Sequence, residues 1–314
     1  MKEIYLLSCA EVSEGGGVYK YEITESGKLK EIAYLPCPKP MYATANGEKL
    51  HILLRAPFES NDNSGYFFCK TDLSDCSDMK NTLGKCACHL AVDKDAYIVN
   101  YLSGNIVKNC EKVVFHGGTG VKLPRQDMPH PHFVAFSPDK KYILCCDLGL
   151  DTIFIYDRNL TEVSRAKVPD GYGVRHLIFS KEGKYIYAVN ELVPSISVFS
   201  YSNGKAECIS TTILDCKNKN STAAAIRLDE NGNRLYVSVR GENEIFIYNV
   251  NNTELLSYGR FSCGGYGPRD FDLVGGFIVC ANEGSDSVTV IEKKNCRIIE
   301  KVAMKSPLNV VRET

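Results

Sequence analysis

Residues 133–157 read FVAFSPDKKYILCCDLGLDTIFIYD. A short apolar strand runs into the polar turn SPDKK, a second strand ends in the tip DLG, and a third alternating strand follows. The same order recurs as LIFSKEGKYIYAVNELVPSISVFSY at 177–201, AIRLDENGNRLYVSVRGENEIFIYNV at 225–250 and FDLVGGFIVCANEGSDSVTVIEK at 271–293. Upstream stand HLAVDKDAYIVNYLSGNIVKN at 89–109 and a degenerate copy, YATANGEKLHILLRAPFESNDNSGYFFCK, at 42–70. Taking the residue before each first turn, Val92, Phe136, Phe179, Leu228 and Leu273, gives spacings of 44, 43, 49 and 45 residues. Short strands rich in β-branched and aromatic residues, separated by turn signals, make the chain all-β. A period of about 40–50 residues with three or four strands per unit is the pattern of a β-propeller. Helical solenoids share the period but not the alternation.

Six units are complete. SPLNVVRET at 306–314 reads as the first strand of a seventh, and EIYLLSCA, GVYKYEI and KLKEIAYLP near the N-terminus supply its other three. The expectation is one seven-bladed β-propeller domain over residues 1–314, its last blade closed by pairing of the N- and C-terminal strands. Closure also removes the two exposed sheet edges of an open array.

Composition narrows the function. Lys and Arg total 37 against 38 Asp and Glu, a net charge of −1, so no basic footprint for nucleic acid is present. No apolar run reaches the roughly 20 residues of a membrane span. The opening MKEIYLLSCAEVSEGG has too short an apolar stretch for a signal peptide. The 14 cysteines include no CxxC, so they read as reduced thiols filling strands such as ILCCD, and a cytoplasmic location is expected. Cys86-Ala-Cys88 lacks the wider paired spacing of structural zinc sites. Nothing in the sequence specifies an oligomeric state.

With strands a to d counted outward from the axis, loops entering strand a and loops joining b to c share one face. Alignment on the a–b turns places Cys88, His132, Arg175, Ala224 and Arg269 at the entrance to strand a. Tyr101, Leu148, Glu191, Arg240 and Glu283 fall one residue into the b–c loop. Both sets ring one mouth of the central channel, a polar ring suited to an anionic small molecule. His89 and His176, one position further along strand a, are expected to pack between blades. Arg125 and Gln126 precede the HxH pair, His130 and His132, in a loop on the same face and are expected to touch ligand. Alternative roles stay open: His132 as a strand cap, and the arginines as ion-pair struts between blades.

The stretches RQDMPHPHFVAFSPDKKYILCCDLGLDTIFIY, GYGVRHLIFSKEGKYIYAVNEL, RLYVSVRG and GPRDFDLVGGFIVCANEGSDSV resemble the lactonase family of seven-bladed propellers. That family includes 6-phosphogluconolactonases of the cycloisomerase type and 3-carboxy-cis,cis-muconate lactonising enzymes. The resemblance covers roughly residues 86–290, and it departs from the family at Val174 and Val239, where proline and asparagine are usual. It places the catalytic positions on His132, Arg175, Glu191 and Arg240, ring residues already reached by alignment. Arg125, Gln126, Arg269 and Glu283 are the expected substrate-binding residues.

Opening a lactone needs a base to activate water and positive charge to hold the tetrahedral oxyanion. Glu191 is expected as the base, with His132 positioning or sharing the proton, and Arg175 and Arg240 holding the substrate's anionic group. No GxSxG elbow is present. The two histidines of the HxH lack a third ligand, so neither metal nor organic cofactor is expected. The function this implies is a metal-independent hydrolase of an anionic sugar lactone, most like 6-phosphogluconolactonase of the pentose phosphate pathway. A lactonising cycloisomerase and a non-catalytic binding propeller are the alternatives.

Overall fold

The computed structural model describes residues 2–312. Within them seven sheets, each of four antiparallel strands, form the blades of a propeller. Strand a, nearest the axis, is Pro40–Asn46 in blade 1, Ala87–Val92 in blade 2 and Pro131–Phe136 in blade 3. It is Val174–Phe179 in blade 4, Thr222–Leu228 in blade 5 and Pro268–Val274 in blade 6. In blade 7 it is Pro307–Arg312, which pairs antiparallel with Lys2–Ser8, followed outward by Gly17–Ile23 and Leu29–Pro36. The last two residues of the expected closing segment, 313–314, lie outside the described residues.

Alternation along each strand sends successive side chains to opposite sheet faces, and here each face meets a neighbouring blade. Cys145 and Cys146 show it. Cys145 packs with Tyr97 and Val99 of blade 2, whereas Cys146 packs with Val174 and Ile186 of blade 4. Equivalent apolar clusters fill every interface between neighbouring blades, including blade 7 with blades 6 and 1. All 14 cysteines are free thiols. The a–b turns close alike: the N–H groups of Ser137, Ser180 and Asp229 donate to the carbonyls of Tyr142, Tyr185 and Arg234 at 2.8–2.9 Å. No helix among the described residues is long and apolar enough to cross a membrane.

One irregularity positions the site. In every blade the a–b ladder skips a residue near the start of strand a. The skipped residues are Met41, Cys88, His132, Arg175, Arg269 and Leu308; blade 5 skips both Ala224 and Ala225. A bulge of this kind re-aims a side chain out of the ladder. Here it delivers six of these residues to one small cavity on the axis, about 20 Å³ in volume, beneath the b–c loops.

Candidate active site

The cavity floor is therefore a ring of bulged residues, and the b–c loops add a rim. Glu191 follows strand b of blade 4 and is tied by its backbone N–H to Gly173 O at 2.8 Å. The loop carrying Gly173 is itself held by Asp151, whose carboxylate accepts from Gly171 and Gly173 N–H at 2.7 and 2.6 Å. Glu191 is 4 % exposed and lies between three arginines. Arg125 Nη2 reaches Oε1 at 2.7 Å, while Arg175 Nε and Arg240 Nη2 reach Oε2 at 2.9 and 3.0 Å. Arg175 also donates from Nη1 to Ala224 O at 2.7 Å, bridging blades 4 and 5.

These contacts set the charge states. Burial alone would raise the Glu191 carboxyl, but Arg240 and Arg175 outweigh it and hold it well below the usual carboxylate range. Burial pulls the Arg175 guanidinium down to about 9, so it stays protonated near neutrality. Burial, reinforced by Arg175, holds the His132 imidazole well below 6.5 and therefore neutral. Its Nδ1 has no hydrogen-bond partner, and the ring lies 5.6 Å from Tyr101, edge to face. Arg269 pairs with Glu283 at 3.2 Å on the far side of the same cavity.

The structure thus brings together His132, Arg175, Glu191, Arg240, Arg125 and Arg269, with Glu283 held on Arg269. Gln126 is a correction. It is fully buried; Nε2 donates to Leu148 O at 2.8 Å and Oε1 accepts from Lys122 N–H at 3.0 Å. Its amide is spent on holding the loop that presents Arg125, not on a ligand. His130 is likewise a brace, stacked on Tyr101 at 4.3 Å and bonded to Tyr101 O at 3.0 Å. The expectation for His89 and His176 is also overturned. Their rings lie 5.6 Å apart although blade 3 stands between their blades, which is possible only across the channel.

Sequence alignment missed Met41 and Leu308, which complete the ring from blades 1 and 7. A signal for them exists: proline immediately precedes the ring residue at Pro40, Pro131, Pro268 and Pro307. Each opens its strand, where a missing N–H is tolerated.

Among the described residues no three His, Cys, Asp or Glu side chains come together to hold a metal ion. The arrangement offers a neutral imidazole beside a carboxylate-anchored set of guanidinium groups, which can accept a proton and stabilise an anion in one place.

Solved structures share this architecture throughout. A gluconolactonase from the periplasm of Pseudomonas aeruginosa superposes with a TM-score of 0.87 at 22 % identity, covering 100 % of this chain and 99 % of that one. A Bacteroides fragilis protein described as a candidate 6-phosphogluconolactonase gives 0.89 at 23 %, covering 100 % and 98 %. In sequence, an uncharacterised protein of Staphylococcus aureus strain N315 is 30 % identical over 314 residues, 89 % of each chain. The family description "Lactonase, 7-bladed beta-propeller" matches residues 4–298, and the chain belongs to that family.

Proposed function

We propose that the protein hydrolyses an anionic sugar lactone, with 6-phosphogluconolactone the best-fitting type, without a metal, and that His132 is the general base. The observation carrying this reading is the charge balance of the mouth: among the described residues Arg125, Arg175, Arg240 and Arg269 form ion pairs only with Glu191 and Glu283. Two guanidinium charges are left over for the substrate and the oxyanion. Glu191, expected from sequence as the base, accepts contacts from three guanidinium groups and in this reading anchors the arginines.

His132 takes a proton from water as the water oxygen attacks the lactone carbonyl carbon. The electron pair of the C=O bond moves onto oxygen, where Arg175 or Arg240 stabilises it. Collapse restores the carbonyl and breaks the bond to the ring oxygen, which receives the proton from His132. The product acid then loses its carboxyl proton to solvent.

The test is a hydrolysis assay on freshly prepared 6-phosphogluconolactone and gluconolactone, with spontaneous opening subtracted. The phosphorylated lactone is expected to have a kcat/KM higher by about tenfold or more, the worth of one charge-assisted contact. No turnover above background on either would overturn the reading.

A further inference from the structure

One backbone bond fixes the rim of the mouth in six of the seven blades. The first residue after strand b donates its N–H to the carbonyl just ahead of strand a in the same blade. Tyr101 donates in this way to Cys86, Leu148 to His130, Glu191 to Gly173 and Glu283 to Gly267, at 2.8–3.1 Å. The same bond joins Cys9 to Ser306 in blade 7 at 2.9 Å and Arg55 to Lys39 in blade 1 at 3.0 Å. Arg55 follows strand b of blade 1, Lys49–Leu54, within the degenerate repeat. Its backbone is therefore set where Glu191 and Glu283 stand in their own blades. In a ring of seven, blade 1 lies three blades from blade 4 and three from blade 5. Arg55 thus starts across the mouth from Glu191 and Arg240.

Its surroundings tie it to the axial cavity. Cys9 Sγ lies 3.7 Å from Sδ of Met41, which lines that cavity. Burial raises the Cys9 thiol, and the Arg55 and Arg269 guanidinium groups both oppose the rise, as they do at Cys86. Arg55 and Arg269 therefore flank the same two thiols. The mouth is also narrow. Arg125 Nη2 lies 2.7 Å from Glu191 Oε1 and 3.5 Å from Tyr101 OH, which joins the rims of blades 4 and 2 through one nitrogen. Neighbouring charges are matched in pairs, Lys39 with Glu11, Lys85 with Asp62 and Arg269 with Glu283. Arg55 itself is exposed and, among the described residues, has no ion pair and no side-chain hydrogen bond.

Resting on the lactone-hydrolase reading, we propose that Arg55 is a specificity residue: with Arg269 it receives the phosphate of a phosphorylated lactone, while the carbonyl end lies against Arg175 and Arg240. An uncharged carbonyl enters the buried floor with little loss of hydration, whereas a phosphate would lose much of its own there. On the exposed rim the phosphate keeps part of its water and still meets a planar guanidinium able to bind two of its oxygens. The charges then match. Arg125, Arg175 and Arg240 against Glu191 leave two positive charges, and Arg55 adds a third, with Arg269 offset by Glu283. A phosphate monoester carries about 1.5–2 negative charges at pH 7, and the tetrahedral oxyanion adds one.

Arg55→Ala and Arg55→Lys would be compared with the parent, with Arg297→Ala on the outer strand of blade 6 as a control of equal charge. Kinetics use 6-phosphogluconolactone and gluconolactone. Calorimetry uses their stable products, 6-phosphogluconate and gluconate, and needs no turnover. Arg55→Ala is expected to raise KM for the phosphorylated lactone and Kd for 6-phosphogluconate by about tenfold or more, the worth of a charge-assisted contact. Losses in kcat, and all losses on the unphosphorylated pair, should be clearly smaller. Arg55→Lys, which keeps the charge and loses the fork, should fall between the parent and Arg55→Ala. Arg297→Ala should match the parent, and thermal melts should match throughout. Equal losses on both pairs, an unchanged Kd in Arg55→Ala, or an equal loss in Arg297→Ala would overturn the assignment. So would a parent that binds 6-phosphogluconate no better than gluconate. Expected binding with no turnover of either lactone would uphold the phosphate subsite and remove the hydrolytic reading, whereas turnover indifferent to Arg55 would do the reverse.

Discussion

At Glu191 and His132 the division of labour follows from surroundings, not residue type. A carboxylate shared by Arg125, Arg175 and Arg240 is a strong anchor and a weak base, whereas His132 is neutral with an unpartnered nitrogen. His132→Asn should lower kcat by about 10²–10⁴-fold and abolish the acidic limb of the pH–rate profile. Glu191→Gln should keep that limb but move its midpoint to lower pH, because the Glu191 carboxylate favours the charged form of His132, while raising KM and lowering the melting temperature. Breaking a buried charge pair typically costs about 3–5 kcal/mol. A Glu191→Gln enzyme that instead loses the limb would return the base to Glu191. The same burial has a consequence for stability. His89, His132 and His176 are each held below 6.5 in the fold, by burial first and by neighbouring arginines second. The unfolded chain therefore takes up protons first as pH falls. Stability is fully present above about 6.5 and declines below it, with a slope approaching about 1.4 kcal/mol per pH unit for each imidazole. Denaturant unfolding at pH 7.5, 6 and 5 measures the slope, and a flat response would mean that these rings are charged in the fold.

Among the elements, strand a and the loop ahead of it decide what reaches the mouth. The period of the turns was enough to read strand a in five blades and to place His132, Arg175 and Arg269 at its entrance, because turn-to-strand spacing is set by local chain geometry. Gln126 was not legible. Sequence shows an amide beside Arg125 in a loop, and only the fold shows that both its ends bond the chain at Lys122 and Leu148. The charge state of Glu191 was not legible for a similar reason: alignment put Arg125, Arg175 and Arg240 on the same face, but only the fold shows that all three, from separate segments, meet on its carboxylate. His89 and His176 were misplaced because strict alternation was extended through a bulge, where the ladder skips a residue and the next side chain also faces the axis. The loop reading makes a prediction. Gln126→Ala leaves Leu148 O and Lys122 N–H without partners, at about 1–3 kcal/mol, and frees the segment that presents Arg125. KM for the anionic lactone should rise several-fold with kcat nearly unchanged, and amide exchange should accelerate locally across residues 120–126. Unchanged exchange there would mean that the loop is held by something other than this amide.

For the whole molecule the question is what keeps a ring of similar blades shut. Blade 7 is the only one assembled from both ends of the chain, and its inner strand is bonded on both sides. Asn309 accepts from Ala43 N–H of blade 1 at 2.9 Å and donates to Asp270 of blade 6 at 2.7 Å. Asp270 in turn accepts from Val310 N–H at 3.1 Å and pairs with Arg227 of blade 5 at 2.7 Å. Removing residues 306–314 would strip one strand from the sheet, uncover the apolar faces of blades 6 and 1, and leave Asp270 and Arg227 partly unpaired. Loss of soluble expression, or a fall in stability of several kcal/mol, is expected from the burial of Leu308, Val310 and Val311 alone. A circular permutant separates this effect from simple shortening. Ile4 sits opposite Arg312 in the ladder, so the two ends lie about 5 Å apart there and a short linker can join them. New termini can be opened between Ser60 and Asn61, which are exposed in a loop of blade 1. In that protein the pairing of the closing strand becomes a local hairpin, so less chain entropy is lost when it forms. The permutant should fold, keep lactone turnover and refold faster than the parent, while the same 306–314 deletion made in its background remains as damaging as before. A deletion that melts at the parent temperature in either background would show that the ring holds without its closing strand.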